Sequence, residues 1–536
     1  MPHREPSSRE IASIGIVKAP CDETVVKESP ATHPCGEKAG PWILTATILA
    51  SSMAFIDSTV VNVALPALQH SLGATVVGVQ WVVESYGLFL AALILVGGAM
   101  GDLFGRRRVF LAGVGVFALA SIACGLAQSI RELVLARSVQ GIGAAFLVPG
   151  SLSIISASFD EKGRGKAIGT WSGFTAITTA IGPVLGGWLI EHASWRWAFF
   201  INVPFAVAVI TISLWRIPES HGAGASGRID WLGALAATIG LGGLVTGFIQ
   251  SSNLGWRSLP VLASLVVGLV AMVGFFLIER EEKSPMLPLA LFSSSAFRGA
   301  NLLTLFLYAA LGIFFFLFPL DLIQVQGYSA TAAGAAALPF ILLMFVLSRW
   351  SGGLVGHYGP KLPLIIGPLI AAAGFVLVAL PSVGGSYWRA FFPALTVLGL
   401  GMAVTVAPLT TVVMNSVNQD HVGVASGINN AVARVAGVLA IAVLGIVMVN
   451  AFSSRLNAQL EEISLPSNAL HEIHANEPKL AGISVPPGLD AATSSAVKET
   501  VARAFVHGFR VIMFVCAGLS LASAATAWRM IGDERS

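Results

Sequence analysis

The sequence predicts an all-α integral membrane protein, and three observations predict it. Only 11% of its 536 residues are charged, less than half of the about 25% carried by an ordinary water-facing domain. Mean hydropathy is +0.79, with 55% of the chain hydrophobic. The apolar residues fall in unbroken runs of about 20 rich in Gly, Ala and Leu, not in alternating segments of about ten, which selects spanning helices over a β-barrel. Composition excludes disorder, collagen and a secreted disulfide scaffold. A net charge of +3 removes the electrostatic case for a nucleic-acid partner. Cys21 and Cys35 lie in a polar N-terminal stretch and Cys124 and Cys516 in separate apolar runs. With no CxxC and no Cys/His spacing for zinc, no metal or other cofactor is expected.

Taken in order, a polar tail occupies 1–41, and the first span runs over about 42–67, too late and too long for the apolar core of a cleaved signal. Spans at about 79–100, 109–128, 132–156, 166–190 and 197–217 complete a group of six. The linker 218–297 holds two more, at about 230–250 and 259–279. A second group follows within 298–528, at about 298–320, 331–356, 362–382, 388–413, 424–450 and 505–528, and 529–536 is a short tail. Fourteen spans put both termini on one side. With the N-terminus inside, the short inner loops hold Arg106, Arg107, Arg108, Lys162, Arg164, Lys166, Arg216, Arg228, Arg280, Lys283, Arg298, Arg349 and Lys361. The outer loops hold Arg131, Arg196, Arg257 and Arg389. Thirteen against four sets the expected orientation, with both termini cytoplasmic. The polar segment 452–500 is then the longest outer loop, and Trp195, Trp197 and Trp388 are expected at the outer interface.

The chain also repeats itself. Gly98 and Gly105 recur 254 positions later as Gly352 and Gly359, Gly73 pairs with Gly327 at the same offset, Pro66 with Pro319 at 253 and Gly141 with Gly399 at 258. Two six-helix halves, 42–217 and 298–528, with a helix pair inserted between them, account for one shared diagonal. Parallel repeats of this kind place a substrate cavity between the halves near the midplane.

After helix 2 the residues read Gly98-Ala-Met-Gly-Asp102-Leu-Phe-Gly105-Arg106-Arg107-Arg108, which resembles the signature loop of the major facilitator superfamily. Four further matches are similar to the fourteen-helix drug:proton antiporters of the EmrB/QacA type. They are "FIDSTVVNVALP" containing Asp57 and Pro66, "RSVQGIGAA" from Arg137, "IGPVLGG" from Ile181 to Gly187, and "SWRWAFFINVP" from Ser194 to Pro204. The resemblance covers nearly the whole chain from residue 42. It implies the major facilitator fold and export of small molecules in exchange for protons across the cytoplasmic membrane. In a Gram-negative cell it implies a periplasmic adaptor protein as well. The superfamily's helix 1 acid maps onto Asp57 and its helix 4 arginine onto Arg137, which assists proton transfer there. Gly182, Pro183, Gly186 and Gly187 map onto the antiporter motif, present in exporters and generally absent from symporters. Leu103 stands where the superfamily usually has a basic residue, which leaves Asp102 with Arg106, Arg107 and Arg108 for a gating latch.

The residues support the same candidates independently. Asp57 lies about eleven residues, roughly 16 Å, from the outer end of its helix. Glu84 and Arg137 lie about five residues from the outer ends of theirs. Ionisable groups at such depth are functional candidates by default. A carboxyl that approaches and leaves Arg137 as helices rock would bind and release a proton; a permanent pair would merely clamp helices 1 and 4. The repeat-matched positions, Ala310, Leu338 and about Leu395, carry no charge, so the proton chemistry is expected in one half. Pro183 and its glycines kink helix 5 and admit a neighbour closely. Asn62, Gln140, Asn429, Asn430 and Arg434 are candidates to line the cavity, Arg434 either there or in a structural role, with Asp321 as a distant partner. No nucleophile-and-base motif or phosphate loop stands in context, so an enzyme is not expected. The candidate cargoes are amphipathic drugs, an endogenous metabolite or a siderophore, with proton symport for uptake as the lesser alternative.

Overall fold

The computed structural model describes residues 39–532 apart from 160, 222–229, 283–284, 418–421 and 464. The tail 1–38, the last four residues, Arg228, Lys283 and the side chains of Lys162, Arg164, Lys166 and Arg349 lie outside the described residues. Fourteen long helices follow one another: α1 Gly40–Ser71, α2 Val76–Phe104, α3 Arg106–Leu126, α4 Ile130–Ser158, α5 Glu161–His192 and α6 Trp197–Arg216. Next come α7 Trp231–Leu254, α8 Leu259–Glu281, α9 Ser295–Leu320 and α10, made of Ala330–Ala336 and Leu338–Tyr358. Then follow α11 Lys361–Ala379, α12 Phe392–Asn415, α13 Val422–Leu460 and α14 Ala491–Met530. Among the described residues thirteen of these are long and apolar enough to cross a membrane. The other, α5, is a single helix of 32 residues. The protein is a multi-pass membrane protein.

Side-chain oxygens start several of these helices by accepting an otherwise unpaired backbone N–H. Thr75 accepts from Gly78, Ser129 from Glu132, Asp230 from Gly233, Ser294 from Phe297 and Ser329 from Ala332. Gly105, at φ 107°, makes the sharp passage from α2 to α3, and its repeat partner Gly359, at φ 74°, ends α10 the same way. A side chain at either would meet a strained backbone.

The helices α1 to α6 pack on one another, α4 against α1, α2 and α3, α1 against α5 and α6. In the same manner α9 packs on α13 and α14, and α11 and α10 pack on α12. The two bundles meet along α2 with α13 and along α5 with α10. The hairpin of α7 and α8 docks through α7 onto both α2 and α13, and so straddles that seam.

Two expectations change. Trp195 is buried at 5% exposure, edge-on to Phe199 with the Arg196 guanidinium 4.4 Å above its ring. Arg196 itself turns inward to donate to the carbonyls of Gly125 and Ala127, at 3.1 and 2.6 Å, and so closes the end of α3. Trp197 and Trp388 are exposed. The polar segment 452–500 is largely helical. The helices α13 and α14, of 39 and 40 residues, span about 58 and 60 Å at 1.5 Å per residue, about twice a bilayer's hydrocarbon core. Between them the helix Ser467–Asn476 and the 3-10 turn Glu477–Gly482 fold back onto the bundles. There Gln69 of α1 donates to the Lys479 carbonyl and accepts from Gln324, tying the two bundles together.

Candidate functional site

Asp57 of α1 is fully buried. Its Oδ2 accepts from Arg137 Nη1 of α4, and its Oδ1 accepts from Gln140 Nε2 at 2.8 Å and Asn202 Nδ2 of α6 at 3.3 Å. Arg137, 1% exposed, also donates to Gln140 Oε1 at 2.7 Å and from Nε to the Val82 carbonyl of α2 at 3.0 Å. Its guanidinium carbon sits 4.2 Å from the Tyr86 ring centroid and 5.9 Å from that of Phe199. Ser121 Oγ of α3 accepts from Gln140 and Asn202, at 2.8 and 3.3 Å, and the Cys124 thiol faces Gln140 Oε1 at 3.7 Å. One hydrogen-bonded network around this carboxylate thus ties five helices of the first bundle to a common point. Charge-assisted bonds are what make such an ion pair tolerable in a dry interior.

Sequence reasoning paired Asp57 with Arg137 and placed Gln140 in a cavity; the structure brings all three together. Asn202, Ser121, Cys124 and Tyr86 were not anticipated. Asn202 lay within the quoted "SWRWAFFINVP" segment, a polar residue inside an apolar stretch.

Glu84 does not join this cluster. It is fully buried, and neither carboxyl oxygen has a hydrogen-bond partner. Gln80, Glu84 and Gly87 share one face of α2, spaced at i, i+4 and i+7. Gln80 lies against Gly445 of α13, and a Cβ on Gly87 would come within 2.9 Å of Val438. Glu84 therefore faces the stretch Val438–Gly445, which reads "VLAIAVLG" and offers no polar side chain.

The loop from Gly98 to Arg108 forms a second cluster. Arg106 Nε donates to Asp102 Oδ1 at 2.9 Å, and Arg106 Nη1 to the Ser153 carbonyl of α4 at 3.3 Å. Glu219, 4% exposed and just beyond α6, accepts from the Arg107 backbone N–H at 2.9 Å and lies 3.6 Å from Arg108 Nε. The Arg107 side chain donates to the Ile217 carbonyl, and its neighbour's N–H, that of Arg106, to the Ser220 carbonyl, both at 2.8 Å. These partners all belong to the first bundle or its exit strand. Glu219 was not anticipated, since 112 residues separate it from Arg107.

On α5, Gly187 and Pro183 face α10. A Cβ on Gly187 would stand 2.3 Å from the Ala330 carbonyl oxygen, and one on Gly334 would stand 2.0 Å from that of Pro183. Gly182 and Gly186 face α1 instead, against Thr59 and Val60. Glu191, at the end of α5, accepts from the Thr331 N–H and hydroxyl at 2.8 and 2.6 Å. Backbone thus meets backbone between the bundles at the end away from Arg106.

The other candidates are dispersed. Asn429 of α13 donates to Thr304 and Asn301 of α9, at 2.8 and 3.2 Å, holding two helices of the second bundle together. Asn430 and Asn62 bond back to their own helices, through Ser426 and Ser58. Arg434 is half-buried. Asp321 is buried at the far end of α9, with Oδ1 unpartnered.

A family model described as the Major Facilitator Superfamily matches residues 47–230 and 217–441. The chain is 36% identical over 422 residues to the multidrug resistance protein Stp of Mycobacterium tuberculosis, covering 78% of each. It is 32% identical over 512 residues to the tetracenomycin C resistance and export protein of Streptomyces glaucescens, covering 94% of this chain and 93% of that one. Among solved structures, a bacterial homologue of the human lysosomal transporter Spinster, inward-facing and unoccupied, superposes with a TM-score of 0.62 at 18% identity, covering 93% of this chain and 99% of that one.

Proposed function

The chain belongs to the Major Facilitator Superfamily, and from that premise we propose that it is a proton-coupled efflux antiporter exporting amphipathic drugs or related small molecules by alternating access. The observation that carries the reading is the set of ionisable groups sealed in membrane-spanning helices of the first bundle, the Asp57–Arg137 pair and Glu84. The functions for which the relatives are named, multidrug resistance and antibiotic export, support the outward direction. In this reading 42–217 and 298–528 are the rocking halves, and α7 and α8 are an addition within 218–297. Gly98, Asp102, Gly105 and Arg106 to Arg108 form the gating loop, and Gly182, Pro183, Gly186 and Gly187 the antiporter motif. Asn62, Asn429, Asn430 and Arg434 line or border the cargo path. The membrane is the cytoplasmic one with both termini inside, on the count of basic residues. In a Gram-negative cell a periplasmic adaptor protein would receive the cargo.

Each proton entering supplies about 2.3 kcal/mol per 100 mV of membrane potential and about 1.36 kcal/mol per pH unit; one proton per substrate gives roughly several-hundredfold accumulation of a neutral cargo and roughly tenfold of a monovalent cation, whose exchange moves no net charge. Transport in inverted membrane vesicles tests the reading: ethidium or tetraphenylphosphonium should collapse an imposed pH gradient, and Asp57→Asn should abolish the response. A fully active Asp57→Asn sinks the assignment of that residue. No response to any amphipathic cation in the wild-type protein moves the cargo to an endogenous metabolite.

A further inference from the structure

Among the described residues of α1 to α6 the fully buried carboxyls are Asp57 and Glu84, and the fold treats them oppositely. Asp57 receives three donors, one of them a guanidinium. Glu84 receives none and faces the apolar stretch Val438–Gly445 across the seam between the bundles. An ionised carboxylate without a hydrogen bond in such surroundings costs far more than the neutral acid.

The groups around Glu84 do not offset that cost. On α4, Arg137 is committed to Asp57, Gln140 and the Val82 carbonyl, and Arg131 and Glu132 stand exposed at the end of the helix. On α1 there are Asp57 itself and exposed His70; on α3, Cys124 beside Gln140, with Arg106 to Arg108 at the far end. On α13, Arg434 lies seven residues, about 10 Å, from Ile441, and Arg455 lies beyond the opposite end of the facing stretch. The helix α7 carries no titratable residue. On α2, Tyr86 lies under Arg137 and Asp102 pairs with Arg106. Glu477 and Lys479 belong to the outer turn.

We propose that, while α2 and α13 are closed on each other, the coupling proton sits on Glu84 and Asp57 stays ionised against Arg137. Separation of α2 from α13 admits water, the carboxyl O–H bond breaks, the electron pair stays on Glu84 and the proton passes to that water. Glu84 is then the proton carrier, and Asp57 with Arg137 is the fixed pair that keeps the bundle rigid around it. This inference rests on the exporter reading above and names which of its carboxyls is loaded in this conformation.

Infrared spectroscopy of the full chain in proteoliposomes near neutral pH tests it directly. The wild-type protein should show a carboxylic-acid C=O band that Glu84→Gln removes and Asp57→Asn retains; a band untouched by Glu84→Gln overturns the proposal. Because an amide then replaces a neutral acid of the same shape, Glu84→Gln should keep the wild-type melting temperature. A large fall would mean that the site held an ion, and overturns it equally. In inverted vesicles with ethidium, one coupled proton gives about a tenfold accumulation per pH unit; Glu84→Gln should lose that factor, whereas Glu84→Asp should retain a pH response with a displaced profile. A full response in Glu84→Gln overturns the proposal. A wild-type protein indifferent to the pH gradient refutes the exporter reading instead, and the infrared band decides the location of the proton by itself.

Discussion

Arg137 spends its donors on one carboxylate, one amide and one backbone carbonyl, with the faces of Tyr86 and Phe199 closing over the guanidinium. Removing one member of a buried pair strands the other, which typically costs about 3–5 kcal/mol, while an apolar pair of similar volume can be nearly neutral. Arg137→Met should therefore lower the melting temperature of the purified protein sharply, and Asp57→Asn combined with Arg137→Met should recover much of the loss. Strict additivity of the two changes would contradict the pairing. This pair was legible in the sequence because ionisable residues inside apolar runs are rare and a buried charge demands a partner. Asn202 and Ser121 were not, because uncharged polar side chains are common in spanning helices and only three-dimensional packing selects the ones that converge. The contrast between Asp57 and Glu84 was equally hidden: both are acids at depth, and the difference lies in which face of its helix each occupies.

At the scale of helices, each apolar run read from hydropathy falls on one long helix, yet the ends of two were poorly placed. It marks where a helix meets lipid, and α13 and α14 continue as helices well past that point into polar sequence. Capping chemistry marks the true start of α14. Asp490 accepts from the Ala492 and Thr493 N–H groups at 2.9 and 3.0 Å and from the Thr493 hydroxyl at 2.6 Å. The Thr493 hydroxyl first, and then its N–H, hold the Asp490 carboxyl below its ordinary range. A depressed folded-state value means that the cap's contribution is complete above the ordinary carboxylate range and disappears as pH falls through the depressed value. Amide exchange over residues 491–495 should accelerate in Asp490→Ala at neutral pH, and the wild-type protein should approach that rate only in strong acid. The Glu219 clasp on Arg107 and Arg108 escaped the sequence for a different reason. Nothing local links an exit strand to a loop so distant along the chain, and one acid after a helix is ordinary composition.

For the molecule as a whole, the repeat read from glycine offsets has a physical counterpart. Gly141 brings α4 against the Tyr86 carbonyl of α2, and its repeat partner Gly399 brings α12 against Phe340 of α10. The duplicated positions preserve close packing, while the charged cluster occupies the first bundle. Contact between the bundles depends equally on the absence of side chains. With Gly334 within 2.0 Å of the Pro183 oxygen for any added Cβ, Gly334→Val should hold α5 and α10 apart. A cysteine placed at Val184 should then react faster with an impermeant thiol reagent than in the Gly334 parent, and export should slow. An unchanged labelling rate would argue that the bundles do not close there.

The sealed pair of Asp57 and Arg137 also has an electrical consequence. A transmembrane voltage does work on net charge, about 2.3 kcal/mol per elementary charge per 100 mV, and a plus and a minus held at one depth together present none. With Glu84 neutral, the buried charges among the described residues of α1 to α6 sum to zero, and rotation of that bundle moves no charge of theirs across the field. With Glu84 ionised, the same rotation carries one negative charge. For a neutral cargo voltage then acts on only one leg of the cycle, so the two directions of rocking would differ in current while sharing a single geometry.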